Sequence, residues 1–167
     1  MSERPEGRKS ERGPSGPAAP AAGAERTSER PEGRKSERPA QHYFSASPQA
    51  PSQPTALRLD LPDVSFSLDA DRGVFSAQRI DPGTKVLLLE APPPPPAGHL
   101  LDLGCGYGPI TLTLASRAPG ATVWAVDVNE RALALTQANA AAAGLGNVRA
   151  VAPDAVPEDV RFAAIWS

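Results

Sequence analysis

Residues 100–110, LLDLGCGYGPI, combine the residue types and spacing of a loop that binds a small cofactor. An apolar run ends at Asp102, and glycines follow at Gly104, Gly106 and Gly108 before a proline opens a helix-compatible segment. Glycine accepts positive φ and leaves the main chain bare, so a ligand can approach the backbone closely. The unpaired N–H groups at the start of the next helix add partial positive charge. The stretch therefore predicts a strand, a tight cofactor loop and a helix.

The chain beyond residue 98 alternates strands with helices. A helix is predicted over residues 109–117, and a second one begins after Asn129 as N-cap and ends near residue 143, where a glycine follows. Such alternation is typical of a parallel sheet with right-handed crossovers, which binds ligands at the carboxyl ends of its strands. The predicted strands are residues 99–103, 121–128, 148–152 and 161–166.

Three acidic residues, Asp102, Asp127 and Asp154, fall at those carboxyl ends. Asp127 is placed to accept hydrogen bonds from both hydroxyls of a ribose, because it ends the second strand a little over twenty residues beyond the glycines. Asp127 could instead cap the following helix, with Glu130 completing a capping box, and the two roles are compatible. Asp154 could accept the amino group of an adenine, although Asp-Ala-Val-Pro is also an ordinary turn.

The glycine loop departs from the pattern G-x-G-x-x-G of dinucleotide-binding folds, because Pro109 stands where the third glycine belongs. We expect Asp102 to face the ligand. A carboxylate there would repel a pyrophosphate and attract the ammonium and sulfonium groups of S-adenosylmethionine. These features favour S-adenosylmethionine over a nicotinamide dinucleotide as the cofactor.

Cys105, the one cysteine of the sequence, lies inside this loop, so an internal disulfide and a cysteine-based zinc site are excluded, and no metal site is predicted. A nucleophilic thiol needs a base nearby, and the sequence places neither His42 nor His99 there. We interpret Cys105 as a small loop residue. The sequence contains no apolar run long enough to span a membrane and no hydrophobic signal core, so we expect a cytoplasmic protein without a membrane partner.

Residues 42–97 are predicted to form a short β-rich region with a proline-rich linker. Leucines alternate with polar residues over 57–61, and apolar residues alternate again over 64–68, which predicts two or three short antiparallel strands. A short helix is predicted over residues 84–90, with Thr84 as its cap. The five prolines that follow are typical of a stiff spacer rather than a strand.

Residues 1–41 are predicted to be a disordered tail. The segment SERPEGRKSER occurs twice, at residues 2–12 and 28–38, and it has no aromatic or β-branched residue with which to build a core. Residues 1–40 carry nine Lys and Arg against seven Asp and Glu, while the rest of the chain is net negative. The tail could contact RNA phosphates, or it could be a solvated extension with no specific partner.

A family resemblance is visible in these motifs together with WAVDVN, HYFSASP, GVFS and IDPGTKVLLLE. Residues 42–167 resemble the first half of a class I S-adenosylmethionine-dependent methyltransferase, of the small-domain family that includes ribosomal RNA guanine-N2 methyltransferases. The resemblance implies an α/β fold class. The chain would form the N-terminal half of a Rossmann-like parallel sheet, an incomplete domain over residues 98–167, preceded by the β-rich region and the tail.

The resemblance also implies a set of cofactor-binding residues. Asp127 with Val128 would hold the ribose of S-adenosylmethionine, and Asp154 with Ala155 would line its adenine. The glycine loop would surround its methionine part with Asp102, Gly104, Cys105, Gly106 and Gly108.

The implied reaction is methylation of a guanine exocyclic amine in ribosomal RNA. Family members continue after the fourth strand with an Asn-Pro-Pro motif that holds the target amine, whereas this sequence has Ser167 as its last residue there. We therefore expect a C-terminally truncated sheet, no catalytic residue among these 167, and no methyl transfer by them alone. Two other functions remain open: a non-catalytic nucleotide- or RNA-binding protein and a nicotinamide-dependent oxidoreductase.

Overall fold

The computed structural model describes residues 51–167. The repeat-containing tail at 1–41 and the aromatic motif at 42–48 lie outside the described residues, so the interpretation of the tail stays a prediction. None of the helices between residues 51 and 167 has the length and apolar composition needed to cross a membrane.

The described part begins with an antiparallel hairpin of β1 (Thr55–Asp60) and β2 (Ser65–Ala70). Its apolar side chains alternate along both strands, and the inward ones are buried: Leu59 and Leu68 are each 1% exposed. The two predicted strands are therefore present. The following residues 71–80 form turns instead of a third strand.

Helix α1 (Pro82–Glu90) begins two residues earlier than predicted. Its N-cap is Asp81, whose carboxylate accepts a hydrogen bond from the backbone N–H of Thr84 at 2.8 Å, so the prediction of Thr84 as the cap is wrong. Pro82 explains the difference, since its fixed φ and missing N–H suit the first helical position and leave the preceding Asp81 as the cap.

A four-stranded parallel sheet follows, with the strand order β5-β4-β3-β6. Helices connect its strands as the alternation predicted, which confirms the α/β fold class. The elements are β3 (Ala97–Leu103), α2 (Pro109–Arg117), β4 (Gly120–Val126), α3 (Glu130–Ala142), β5 (Val148–Val151) and β6 (Phe162–Trp166). Pro153–Ala155 form a 3-10 turn between the last two strands.

The main core lies between one face of the sheet, the three helices and the hairpin. Leu100 and Val123 point to that face and are fully buried. The opposite face carries a smaller cluster around Leu101 and Trp124. Trp124 is buried in this cluster, and its indole N–H donates to Nδ1 of His99 at 3.2 Å.

Asn139 on α3 joins the hairpin to the glycine loop. Its side chain is nearly fully buried, and its Oδ1 accepts from the N–H of Asp69 at 2.8 Å. Its Nδ2 donates to the carbonyl oxygens of Asp69 at 2.9 Å and Tyr107 at 2.8 Å. These three hydrogen bonds hold the N-terminal hairpin against the loop that follows β3.

Candidate functional site

A cavity of about 560 Å³ lies at the carboxyl ends of β3 and β4. This is the edge where ligands bind in open parallel sheets. Four parts of the chain line it: the turn after the hairpin with the start of α1, the glycine loop with the start of α2, the residues that end and follow β4, and the 3-10 turn. They contribute Val74, Phe75, Ser76, Asp81, Thr84, Leu103, Gly104, Cys105, Gly106, Tyr107, Pro109, Ile110, Val126, Asp127, Val128, Asn129, Ala132 and Pro153, together with Ser167.

Gly104 and Gly106 present bare backbone to this cavity. Their φ angles are +81° and +58°, in the left-handed region that favours glycine. A Cβ on Gly104 would meet open space, and one on Gly106 would contact only Val74 Cγ1, at 3.8 Å. The N–H groups of Gly104 and Cys105 both donate to the carbonyl oxygen of Val126, at 2.7 and 3.1 Å. The loop is thereby fastened to the end of β4 while its glycines stay open to a ligand.

Gly108 has a different role from the other two glycines. It is the N-cap of α2 with φ +96°, and a Cβ there would lie 2.9 Å from Leu112 Cδ1 and 3.1 Å from Thr136 Oγ1. It is not among the residues that line the cavity. Gly108 therefore allows α2 and α3 to pack closely at the loop, whereas Gly104 and Gly106 form part of the cavity wall.

Asp127 lies in the turn just after β4 and lines the cavity. Its Oδ2 accepts from the N–H of Gly106 at 3.0 Å, and its Oδ1 accepts from the N–H of Asn129 at 2.9 Å. The N-cap of α3 is Asn129, whose Oδ1 accepts from the backbone N–H groups of Arg131 and Ala132. The alternative reading of Asp127 as the helix cap is therefore wrong, and its carboxylate is oriented by the loop and the turn.

Asp102 does not face the cavity, in contrast to the expectation from the sequence. Its side chain is fully buried, and it is absent from the cavity lining. Oδ2 accepts a hydrogen bond from the hydroxyl of Thr111 at 2.5 Å, while Oδ1 has no partner among the described residues. Burial raises the pKa of Asp102 to about 7 against the opposing effect of the Thr111 hydrogen bonds, and nearby Asp127 raises it further. Repulsion between Asp102 and a pyrophosphate therefore no longer serves as a reason against a dinucleotide.

Cys105 lines the cavity but is only 4% exposed. The hydroxyl of Thr136 lies 3.6 Å from its Sγ, as donor. Burial, and after it the negative charge of Asp102, raises the pKa of the Cys105 thiol well above its ordinary value. The thiol therefore stays protonated at neutral pH, which agrees with its interpretation as a loop residue rather than a nucleophile.

The remaining predicted residues lie at the rim of the cavity or just outside it. Val128 lines the cavity and is 44% exposed. Asp154 and Ala155 are exposed in the 3-10 turn, and the neighbouring Pro153 is the residue of that turn that lines the cavity.

Asp81 and Thr84, at the start of α1, are among the cavity residues that the sequence did not indicate as site residues. The motif IDPGT contained the signal, since Asp-Pro is a typical helix start, but nothing in it showed that α1 begins beside the glycine loop. Within residues 51–167, no cluster of three or more His, Cys, Asp and Glu is arranged to hold a metal ion.

Comparison with known proteins gives a family match that covers most of the described sheet. The family model for the methyltransferase small domain matches residues 65–165. The chain is 39% identical over 110 residues to the uncharacterized protein YbxB of Bacillus subtilis, which is 66% of this chain and 55% of that protein. It is 40% identical over 102 residues to ribosomal RNA small subunit methyltransferase C of Pseudomonas entomophila, which is 59% of this chain and 30% of that protein.

A solved structure is similar as well. The 16S rRNA N2 G1207 methyltransferase of T. thermophilus, in complex with AdoMet and guanosine, aligns with a TM-score of 0.59 and 30% sequence identity. The alignment covers 71% of this chain and 33% of that chain. The sequence thus spans about half the length of the Bacillus relative and about a third of the other two proteins.

Proposed function

The chain belongs to the methyltransferase small domain family, and on that premise we propose that its cavity binds S-adenosylmethionine for the methylation of ribosomal RNA. One observation supports the cofactor most directly. The carboxylate of Asp127 lines a largely apolar cavity beside two glycines whose backbone is bare. A carboxylate at this position accepts both ribose hydroxyls, and the bare backbone accommodates the chain that extends from the ribose.

The residues present fit this cofactor. A volume of about 560 Å³ is in the range of small-molecule sites, and Val126, Val128, Ile110 and Pro153 supply apolar surface for a purine. The hydrogen bonds from Gly106 and Asn129 keep the Asp127 carboxylate in one orientation, so little ordering remains to be done when the ribose binds.

S-adenosylmethionine supplies an activated methyl group when it is bound. The chain's own residues hold the cofactor and exclude water from it: Val74 and Ala132 are buried at the cavity wall, and Tyr107 of the glycine loop is 2% exposed. Orientation is the main contribution that a protein makes to such a transfer.

We propose a guanine exocyclic amine as the methyl acceptor. This part rests on the relatives, whose names specify ribosomal RNA and, in the T. thermophilus enzyme, the N2 atom of a guanine. In this chain Phe75 borders the cavity with 60% of its surface exposed, and an aromatic ring at that position is suited to stack on a base taken out of its helix. Such a substrate goes with a cytoplasmic location.

The motif Asn-Pro-Pro does not occur in the 167 residues. We therefore expect the 167-residue polypeptide to bind the cofactor without transferring its methyl group. The cavity and Asp127 belong to the binding half of the reaction, and the residues that hold the target amine are a separate requirement.

Nucleoside analysis tests the proposed substrate. The protein is purified from the cells that make it and incubated with unmodified ribosomal RNA and S-adenosylmethionine labelled in the methyl group. The RNA is then digested to nucleosides. For the protein as the cells make it, label in N2-methylguanosine is the expected result, whereas the 167 residues alone should transfer no label. Label in a different nucleoside, or in protein only, would exclude guanine N2 as the target.

A further inference from the structure

Two acidic side chains line the cavity, those of Asp81 and Asp127. The third acidic residue near it, Asp102, is sealed beneath the glycine loop. Bound S-adenosylmethionine has an ammonium group at its methionine end, and an ammonium group taken out of water needs a negatively charged acceptor. Asp127 is assigned to the ribose, and each of its oxygens already accepts a backbone N–H.

Asp81 has one oxygen committed to the fold and one available to a ligand. Oδ2 accepts the N–H of Thr84 at the start of α1. Residue 83 is a glycine, and a Cβ there would lie 2.9 Å from that Oδ2, so the glycine makes room for the capping carboxylate. Among the described residues, Oδ1 receives no hydrogen bond. The capping bond fixes the side chain while Oδ1 remains an acceptor at the cavity wall.

Asp81 also borders the cavity together with the glycine loop. Tyr107 belongs to the glycine loop, and the pKa of its hydroxyl is raised to about 12, mainly by burial and secondly by the charge of Asp81. Asp81 therefore lies near enough to the glycine loop to act on it electrostatically. The ribose position is marked by Asp127, which is bonded to Gly106 of the same loop. A ligand that fills the cavity therefore meets both Asp127 and the part of the wall that Asp81 forms.

We propose that Oδ1 of Asp81 binds the ammonium group at the methionine end of the cofactor. The inference rests on the cofactor proposed above. It assigns to Asp81 the role that the sequence had given to Asp102, and it makes the N-cap of α1 a part of the cofactor site. A charge-assisted hydrogen bond of this kind is stronger than a neutral one, so its loss is measurable as affinity.

Two ligands separate this contact from the rest of the site. S-adenosylhomocysteine has the ammonium group, whereas 5′-methylthioadenosine has the same adenosine part and no amino-acid end. Their dissociation constants are measured by calorimetry for the 167-residue chain, for Asp81→Asn, and for Asp159→Asn as a matched control in an exposed loop. Asparagine is also a good N-cap, so Asp81→Asn removes the charge and retains the capping acceptor. Thermal melting verifies that all three proteins are folded.

We expect Asp81→Asn to weaken the binding of S-adenosylhomocysteine by roughly tenfold or more, equivalent to about 1.4 kcal/mol. Binding of 5′-methylthioadenosine should stay unchanged, and Asp159→Asn should change neither ligand. Equal weakening of both ligands by Asp81→Asn, or no weakening of either, would overturn the assignment of Asp81 and leave the cofactor proposal in place. A parent chain that binds neither ligand would overturn the cofactor proposal itself, and this inference with it.

Discussion

Replacing Asp102 with asparagine tests the description of the residue beneath the glycine loop. The carboxyl group is fully buried, and its pKa rises from the ordinary 3.8 to about 7. Between about pH 4 and pH 7, Asp102 is therefore protonated in the folded protein and ionised in the unfolded chain. Stability contributed by this group is fully present below pH 4 and is lost as the pH rises through 7, because deprotonation leaves a buried charge.

The magnitude follows from the size of that rise. About three pKa units at 1.36 kcal/mol each correspond to about 4 kcal/mol in all, of which about 2 to 3 kcal/mol falls between pH 5 and pH 8. Asparagine at 102 can still accept from Thr111, but it carries no titrating proton. Its extra N–H group faces the position where Oδ1 lacks a partner, which adds a constant cost of about 1 to 3 kcal/mol. The change with pH is therefore the informative quantity.

Urea unfolding of both proteins at pH 5 and pH 8, followed by tryptophan fluorescence, measures that change. The parent chain should lose about 2 to 3 kcal/mol more than Asp102→Asn over this range. Asp63 and Asp71 have lowered pKa values, so their contribution to stability rises with pH below pH 5 and is the same in both proteins. A parallel pH dependence in the two proteins would refute the buried, proton-binding state of Asp102.

Two further substitutions probe the loop and its support. Gly108→Ala should lower the free energy of unfolding by about 2 kcal/mol or more, because the positive φ is combined with close contacts to Leu112 and Thr136. Gly104→Ala has the same strain of a positive φ but open space around its Cβ, so it should cost less stability than Gly108→Ala and should impair cofactor binding. Denaturation and calorimetry on the pair check this, and the opposite ranking would contradict the separate roles of the two glycines. Asn139→Ala should lower the free energy of unfolding by about 2 to 4 kcal/mol, because it leaves the backbone groups of the hairpin and the loop unpaired. A loss of unfolding free energy below about 0.5 kcal/mol, measured by urea unfolding, would show that the three hydrogen bonds contribute little.

The sheet and its helices were predictable because their signals are local. Alternation of apolar strands with helices identified all four parallel strands, and Asn129 and Gly144 marked the two ends of α3, as the structure confirms. Strand ends were less accurate: β4 stops at Val126, so Asp127 lies in a turn and not in the strand. The family resemblance is confirmed by the match over residues 65–165.

The site itself was predictable only where local spacing was enough. Asp127 follows a strand at the right distance from the glycines, and the structure places it at the cavity, while its ribose role stays a prediction. The burial of Asp102 depends on the packing of α2, whose Thr111 binds the carboxylate, and sequence spacing does not reveal that contact. Asp81 was missed for a similar reason, since its place beside the glycine loop results from tertiary packing of α1.

Calorimetric titration of S-adenosylmethionine into the 167-residue chain tests the central claim, that this cavity binds the cofactor through Asp127. Asp127→Ala and the control Asp159→Asn are titrated alongside, and NAD is titrated as the competing ligand. The account predicts one S-adenosylmethionine per chain, loss of roughly tenfold or more in affinity with Asp127→Ala, an unchanged control and no binding of NAD. Tighter binding of NAD, or S-adenosylmethionine binding that is indifferent to Asp127, would contradict it.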